Sequence, residues 1–143
     1  MATTAAEFNA QVICEFRARG GRVGGVFEGT PLLLLHHAGA ESGATRVNPV
    51  GYLRDGGRYV IFASNGGAPR DPAWVGNLRA EPLTSIEVGS ETIGVVAELA
   101  TAEERERLFA LGAERFPQLA EYARTTDRVI PVIALTKTKE TQP

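Results

Sequence analysis

Three tight turns divide this chain into short runs that are rich in β-branched, aromatic and leucine residues. The turns are Glu28-Gly29-Thr30, Asp55-Gly56-Gly57 and Gly89-Ser90, and they separate residues 22–27 from 31–37, 45–53 from 58–64, and 84–88 from 91–99. A further β-branched run covers residues 129–136. Turns of this chemistry join antiparallel strands. We therefore predict a mainly β (α+β) fold with peripheral helices, built as a small antiparallel barrel and not as a parallel βαβ sheet.

A helix is predicted at the N-terminus, beginning after Thr4 within a capping box and ending near Arg19 before a glycine pair. Its apolar face, formed by Phe8, Val12 and Phe16, is expected to pack on the barrel. The alternative is contact with a membrane surface, because several arginines lie nearby. Cys14 is the only cysteine, and we predict a small buried side chain there and not a reactive thiol.

Three more helices are predicted between the strands. Asp71 is expected to be the N-cap of the first, with Pro72 at its first helical position and its end near Ala80. Thr101 opens a second capping box and a longer helix, which a proline ends. That proline also begins a short helix over residues 117–125. The predicted organisation is an N-terminal helix (1–20), one barrel domain (21–137) and a tail (138–143).

The composition is typical of a globular protein, with 43% hydrophobic and 22% charged residues in a chain of 143. A net charge of -2 gives no reason to expect a nucleic-acid partner. No apolar run is long enough to span a bilayer, and the first residues lack the basic and apolar pattern of a signal peptide. We therefore expect a cytoplasmic protein with a small-molecule ligand. The sequence leaves the oligomeric state open.

The first of two glycine- and serine-rich loops spans residues 39–46. Its glycines, Gly39 and Gly43, permit backbone conformations that turn successive N–H groups toward one anion. Ser42 adds a hydroxyl, and Arg46 can bind a phosphate through two hydrogen bonds. Asn48 lies two residues further along a strand and so faces the same side as Arg46. The alternative is a polar hairpin turn with an exposed arginine.

The second loop, residues 63–69, ends a strand and precedes a helix in which Trp74, Asn77 and Leu78 share one face. Trp74 can stack on a flat heterocycle, and Asn77 can hydrogen-bond its substituents. The alternative is that the only tryptophan is a core residue. Together the two loops predict a pocket for an aromatic cofactor that bears a phosphate.

His36 and His37 end a strand directly before the first loop, so one must face inward and the other outward. The chain has no third histidine and no acidic partner at metal-ligand spacing, so we expect no zinc or iron site. Either histidine could contribute to holding an anionic cofactor tail.

Several motifs resemble those of the deazaflavin-dependent nitroreductase family, whose members are actinobacterial reductases that use coenzyme F420. The matching segments are Arg46-Val47-Asn48-Pro49, Tyr52-Leu53-Arg54-Asp55-Gly56-Gly57, Ala63-Ser64-x-Gly66-Gly67, Pro72-x-Trp74-x-x-Asn77-Leu78 and Thr126-Asp127-Arg128-x-Ile130-Pro131-Val132. The resemblance runs from about residue 17 to residue 135. It implies a split β-barrel related to the flavin-binding and pyridoxamine-phosphate oxidase barrels.

The resemblance also implies a reaction and a site. Members of the family transfer a hydride from the reduced deazaflavin to an electrophilic acceptor such as a quinone, an activated alkene or a nitroaromatic compound. The phosphate and tail would be lined by Ser42, Gly43, Arg46, Asn48 and Pro49, and the ring by Ala63, Ser64, Asn65, Gly66 and Gly67. Trp74 and Asn77 would complete the cofactor pocket. Tyr122 matches a family tyrosine beside the substrate, and Tyr122 and Ser64 are the expected catalytic residues.

Three departures from the family pattern bear on the cofactor. Ala40-Glu41 stands where basic residues are common, and Asn65 stands where a lysine is usual. Two positions expected to be aromatic near the substrate are Leu119 and Thr125. The loss of cations keeps two alternatives open: a barrel that binds a lipophilic ligand without catalysis, and an oxidoreductase that uses flavin mononucleotide (FMN).

Overall fold

In a computed structural model, the described residues are 4–27, 29–39, 43–64, 70–126 and 128–138. The helices and strands in chain order are α1 (Ala5–Ala18), β1 (Leu32–Ala38), β2 (Thr45–Asp55), β3 (Arg58–Phe62), α2 (Ala73–Ala80), β4 (Leu83–Val88), β5 (Glu91–Leu99), α3 (Ala102–Arg115), α4 (Pro117–Thr125) and β6 (Val132–Lys137). The strands form a closed barrel in the order β1-β2-β3-β6-β5-β4, and every neighbouring pair is antiparallel. The predicted antiparallel barrel is confirmed.

β2 changes its partner part-way along its length. Residues 45–51 pair with β1, whereas residues 52–55 pair with β3. Since β3 ends at Phe62, no strand among the described residues covers the second edge of residues 45–51. The barrel is therefore split along this edge, beside the C-terminal end of β3.

The barrel interior is filled by side chains that alternate along the strands, as a sheet with one buried face requires. The strand residues of this cluster include Leu33, Leu35, Tyr59, Ile61, Ile86, Ile93, Val95, Ile133 and Leu135. α2 closes one end of the barrel, adding Trp74, Val75 and Leu78 to the cluster. The opposite face of β3 and β6 packs against α3 and α4 through Leu108 and Leu119.

α1 packs on the outer face of β1, as predicted. Its capping box at Thr4 is confirmed, and Val12 and Phe16 pack against two leucines of β1. Cys14, in contrast, is exposed. The prediction of a buried cysteine is wrong because position 14 lies half a turn away from the face that Val12 and Phe16 share. Within the ranges given above, no helix is both long and apolar enough to cross a membrane.

The prediction of a strand over residues 22–27 is wrong. Residues 22–24 have no regular structure, and Gly25–Phe27 forms a single 3₁₀ turn. Gly20, Gly21 and Gly25 have φ values of 63°, 98° and 62°, in the left-handed region that extended strands do not use. The N–H of Gly24 donates to Glu15 Oε2 at 3.0 Å, which holds the segment against α1. The hairpin predicted at residues 28–30 is lost with this strand, and residue 28 itself lies outside the described ranges.

The other strands agree with prediction to within a few residues. Gly56 and Gly89 have φ values of 61° and 60°, as these hairpin turns require. The largest shift is in β6, which begins at Val132 and not at residue 129, because Pro131 has no N–H for the ladder. The division into a helix over 1–20, a barrel domain over 21–137 and a tail over 138–143 stays a prediction, and residues 139–143 are outside the described ranges.

Two predicted side-chain caps are not formed. α2 has Pro72 at its N-cap and no side-chain cap. The Asp71 carboxylate instead accepts from Arg128 Nη1 at 2.6 Å, across the mouth of the barrel. Thr101 is the N-cap of α3, but its side chain makes no capping hydrogen bond, so a capping box is absent there.

Candidate active site

A cavity of about 890 Å³ opens where β2 separates from the end of β3. The paired half of β2 forms one wall, and the end of β3, the start of α2 and one face of α4 form the others. Polar lining residues include His37, Arg46, Asn48, Ser64, Arg70 and Asp71. Apolar and aromatic lining residues include Leu32, Val50, Phe62, Trp74, Phe116 and Leu119, with Tyr122 beside them. The volume is within the range of cofactor and substrate pockets in proteins.

Of the predicted site residues that the structure describes, six line this cavity. Those that line it are Arg46, Asn48, Pro49, Ser64, Trp74 and Tyr122. Ala63 is fully buried in the adjoining barrel interior, and Asn77 is buried behind His37. Gly43 has a φ of 71° in the loop before β2 and is not part of the lining. The remaining predicted residues, Ser42, Asn65, Gly66 and Gly67, and the departures at Ala40 and Glu41, lie outside the described residues.

Trp74 combines the two interpretations that its sequence position allowed. The side chain is 7% exposed and packs in the barrel core. It also lines the cavity, because α2 lies at the boundary between the two. A core role is confirmed, and stacking on a cofactor ring stays a prediction.

The two histidines face opposite sides, as predicted. His36 points outward, and its Nε2 lies 2.6 Å from Glu87 Oε2 on β4. His37 is 3% exposed and lies between two amides, with Nε2 2.7 Å from Asn48 Oδ1 and Nδ1 2.9 Å from Asn77 Nδ2. Burial lowers the pKa of His37, and the nearby Arg46 charge acts in the same direction, whereas the hydrogen bond to Asn48 Oδ1 opposes them.

Arg128 contacts the described residues on either side of the second predicted loop's undescribed part, residues 65–69. Its Nη1 donates to the Asp71 carboxylate at 2.6 Å, and its Nη2 donates to the Ser64 carbonyl at 2.8 Å. The cation therefore neutralises the one carboxylate among the described lining residues. Sequence reasoning did not give Arg128 a role. Its only signal was membership of the Thr126-to-Val132 motif, because its partners lie about sixty positions away.

The apolar wall was only partly predicted. Leu119 and Tyr122 are three residues apart on α4, so both reach the cavity from one helical face. Phe116 joins them and lies 6.5 Å from Phe62, ring centroid to centroid. Thr125, which was expected near the substrate, is not among the lining residues. Phe62 and Phe116 were missed, since β3 and the junction between α3 and α4 meet only in the folded chain.

The lining combines two kinds of chemistry. Arg46 and Arg70 supply positive charge, and Asn48 and Ser64 supply neutral hydrogen-bonding groups. Aromatic and aliphatic side chains of the same lining suit a flat apolar ring system. Arg70 adds a positive charge to the lining, whereas Arg79 is not among the lining residues. These residues fit a phosphate-bearing deazaflavin.

Comparison with known proteins agrees with this chemistry. The model of the F420H(2)-dependent quinone reductase family matches residues 10–137. An F420H(2)-dependent quinone reductase of Mycobacterium tuberculosis is 38% identical over 126 residues, which cover 85% of this chain and 85% of the relative. A solved F420-H2 dependent reductase (FDR-A) has a TM-score of 0.68 at 37% identity and covers 73% of this chain and 93% of its own. A domain-swapped dimer has a TM-score of 0.70 at 32% identity, covering 92% and 99%.

More distant structures show the fold alone. A Listeria innocua protein assigned to the pyridoxamine 5'-phosphate oxidases and an FAD-binding protein of Mesorhizobium loti are each 12% identical. Their TM-scores are 0.54 and 0.55, and they cover 76% and 90% of this chain and 85% and 88% of their own. The predicted split β-barrel is confirmed. The chain belongs to the F420H(2)-dependent quinone reductase family and is an F420-dependent oxidoreductase.

Proposed function

We propose that this protein reduces a quinone with a hydride from F420H2. The observation that carries the proposal is a cavity whose lining combines two arginines with an aromatic wall. Arg46 and Arg70 suit the phosphodiester and oligoglutamate tail of the coenzyme. Phe62, Phe116 and Tyr122 suit two flat rings, one from the coenzyme and one from the quinone. Family membership supports the same acceptor class.

The proposed cofactor contacts follow the two loops. The tail and phosphate would be held by Ser42, Gly43, Arg46, Asn48 and Pro49, and the ring and ribityl chain by Ala63, Ser64, Asn65, Gly66 and Gly67. Trp74 and Asn77 would complete the pocket from α2. Because Ala40, Glu41 and Asn65 carry no positive charge, we propose that Arg46 and Arg70 supply most of the charge contacts to the tail.

When bound, F420H2 supplies the hydride. The quinone must also take up one proton to become a hydroquinone. Tyr122 and Ser64 both carry hydroxyl groups on the cavity wall. We assign Tyr122 Oη as the group that binds a quinone oxygen and delivers this proton, and Ser64 Oγ as a hydrogen-bond donor to the ring system. The remaining contribution of the protein is to orient two rings and exclude water through the aromatic wall.

Binding can be tested directly because Trp74 is the only tryptophan of the chain and lines the cavity. Saturable quenching of its fluorescence by oxidised F420 is the expected result. Arg46→Ala should weaken binding by about tenfold or more, since a charge-assisted hydrogen bond contributes about 1.5–3 kcal/mol. Arg79→Ala is the matched control, because Arg79 is exposed on α2 and outside the lining.

The same titration separates the alternatives. Quenching by FMN and not by F420 would favour the FMN-dependent reaction, and no response to either would favour a carrier of lipophilic ligands. If F420 binds, oxidation of F420H2 should be followed by absorbance with a benzoquinone and a naphthoquinone as acceptors. Binding without turnover of any quinone would contradict the proposed acceptor.

A further inference from the structure

His37 is a buried polar residue of the cavity lining, and it takes no part in the proposed reaction. Among the described residues, only His37 and Asn77 are buried polar side chains, and they are 3% and 8% exposed. His37 lies near the C-terminal end of β1, opposite Arg46 in the register with β2. α2 covers it from the barrel end, through Asn77.

The two hydrogen bonds of the imidazole define one tautomer. Asn77 Nδ2 is a donor, so His37 Nδ1 must accept and carries no proton. Asn48 Oδ1 is an acceptor, so His37 Nε2 must carry the proton and donate it at 2.7 Å. The ring is therefore neutral. Its Nδ1 accepts a hydrogen bond from Asn77 on α2, and its Nε2 donates one to Asn48 on β2.

This arrangement leaves one group of Asn48 for the cavity. Its Oδ1 is occupied by the imidazole, and no other described residue forms a hydrogen bond with its amide nitrogen. Asn48 is half-buried and lines the cavity, so its Nδ2 can donate to a ligand. If the amide were free to rotate by half a turn, an acceptor oxygen would replace that donor at the same place.

We propose that His37 is a positioning residue: its neutral imidazole, held by Asn77, fixes the orientation of the Asn48 amide so that Nδ2 faces the cofactor as a hydrogen-bond donor. The acceptor would be an oxygen of the coenzyme, in its phosphate, its ribityl chain or its ring. This inference rests on the proposed function, because it gives Asn48 a ligand that bears such oxygens.

The charges around His37 favour the neutral ring. Burial lowers the pKa of His37, and Arg46 on β2 and His36 on β1 act in the same direction, against the hydrogen bond to Asn48. α2 presents the neutral Asn77 amide to the ring. Protonation would turn Nδ1 into a donor that faces the Asn77 donor, so the hydrogen-bond chain holds only for the neutral form.

The tautomer can be measured on the whole protein without a variant. In ¹⁵N-histidine-labelled protein at neutral pH, the expected ¹⁵N shifts of His37 are those of a ring protonated at Nε2 only. His37→Gln serves to assign the signal. A ring protonated at Nδ1, or a charged ring, would overturn the proposal, since Asn48 would then be oriented the other way or its partner lost.

The effect on binding is tested with two variants. His37→Phe removes both hydrogen bonds and should weaken F420 binding by about tenfold, the worth of about one well-formed hydrogen bond. His37→Gln retains a donor near the Nε2 position and should bind within about threefold of the wild type. If His37 acts through Asn48, the double variant His37→Phe/Asn48→Ala should bind no more weakly than Asn48→Ala alone.

The outcomes are distinguishable. If the wild type itself does not bind F420, the proposed function fails and this inference with it. If the wild type binds and His37→Phe binds equally well, or if the effects of the two substitutions simply add, only the positioning role is wrong. Circular dichroism and thermal unfolding check that His37→Phe is folded. Should it not fold, His37→Gln, Asn48→Ala and the histidine spectrum decide the matter.

Discussion

Two helical glycines, one on α3 and one on α2, have opposite surroundings. A Cβ added at Gly112 would lie 2.7 and 2.8 Å from Cε1 and Cε2 of Phe62, and closer still to Cζ. The α3 backbone at Gly112 therefore packs directly against the Phe62 ring and leaves no space for a side chain. A Cβ added at Gly76 would meet nothing within 4 Å, and its φ is not in the left-handed region. The same substitution at the two sites should have opposite effects.

Gly112→Ala is expected to destabilise the fold by about 1–3 kcal/mol, because the buried Phe62 ring must move. Gly76→Ala is expected to stabilise it by up to about 1 kcal/mol through helix propensity. Urea unfolding of both variants and the wild type measures the difference. Equal stability of Gly112→Ala and the wild type would show that the Phe62 ring yields into the cavity without cost.

Side chains with local partners were predictable from the sequence, whereas those with distant partners were not. The capping box of Thr4 involves a residue three positions away and is confirmed. Asp71 has the sequence context of an N-cap, yet it pairs with Arg128. A strong cation brought close by the fold competes successfully with a capping bond that contributes only about 1 kcal/mol. No local pattern contains that information.

At the scale of elements, α1 is fixed to the barrel by a charged cluster as well as by its apolar face. Glu87 on β4 accepts from Arg17 Nε and Nη2 at 3.0 and 2.7 Å and lies 2.6 Å from His36 Nε2. The arginine, and after it the histidine, lower the pKa of Glu87 to about 2, against the effect of burial. The ion pair therefore joins a helix at the start of the chain to a strand near its middle.

Because the folded pKa of Glu87 lies below its ordinary value of 4.5, its contribution to stability is present above pH 4.5 and is lost as the pH falls toward 2. Glu87→Gln should lower the unfolding temperature at pH 7 and make the decline between pH 4.5 and pH 2 less steep. Thermal unfolding over this range measures both effects. Glu121→Gln is the control, since Glu121 is 64% exposed and pairs only with its neighbour on α4. Parallel pH curves for Glu87→Gln and the wild type would contradict the assignment.

The strands bounded by glycine turns were predicted well, and the failure at residues 22–27 has a clear reason. The alternation of apolar residues there resembles a strand, but Gly25 has a positive φ within the segment, and Gly20 and Gly21 have positive φ directly before it. A glycine in sequence does not reveal the sign of its φ. Only the contact of Gly24 with Glu15 of α1 shows why the segment turns.

At the scale of the whole molecule, Arg128 connects three parts of the chain around the cavity. It joins the end of β3, the start of α2 and the segment before β6 through Ser64 and Asp71. Ser64 and Asp71 precede and follow residues 65–69 of the second predicted cofactor loop in the sequence. Arg128 therefore joins the described residues on either side of that segment.

Arg128→Ala should weaken F420 binding by about tenfold or more, because Asp71 would be left in the cavity as an unpaired negative charge facing an anionic ligand. The Trp74 quenching titration measures this, with circular dichroism as a check on the fold. Arg124→Ala is the matched control, since the Arg124 side chain is 69% exposed on α4. Arg128→Ala/Asp71→Asn should recover part of the affinity, and unchanged binding by Arg128→Ala would contradict the role.

The barrel and the polar half of the site could be predicted from sequence, because hairpin turns and loop chemistry are local. The aromatic half could not, since Phe62 and Phe116 come from elements that meet only through the packing of α3 and α4 on the barrel. The hydrogen-bond chain through His37 was missed because Asn77 on α2 lies forty positions away in the sequence.

The divided pairing of β2 gives this protein a way to diversify. Arg46 and Asn48 lie in residues 45–51, which share backbone hydrogen bonds with β1, while the turn at residues 55–58 and the ladder to β3 depend on residues 52–55. Backbone ladders tolerate changes of side chain on a face that is not packed. Mutations that alter the cavity wall therefore need not disturb the hairpin that closes the barrel, so ligand preference can drift over evolution while the architecture is inherited unchanged.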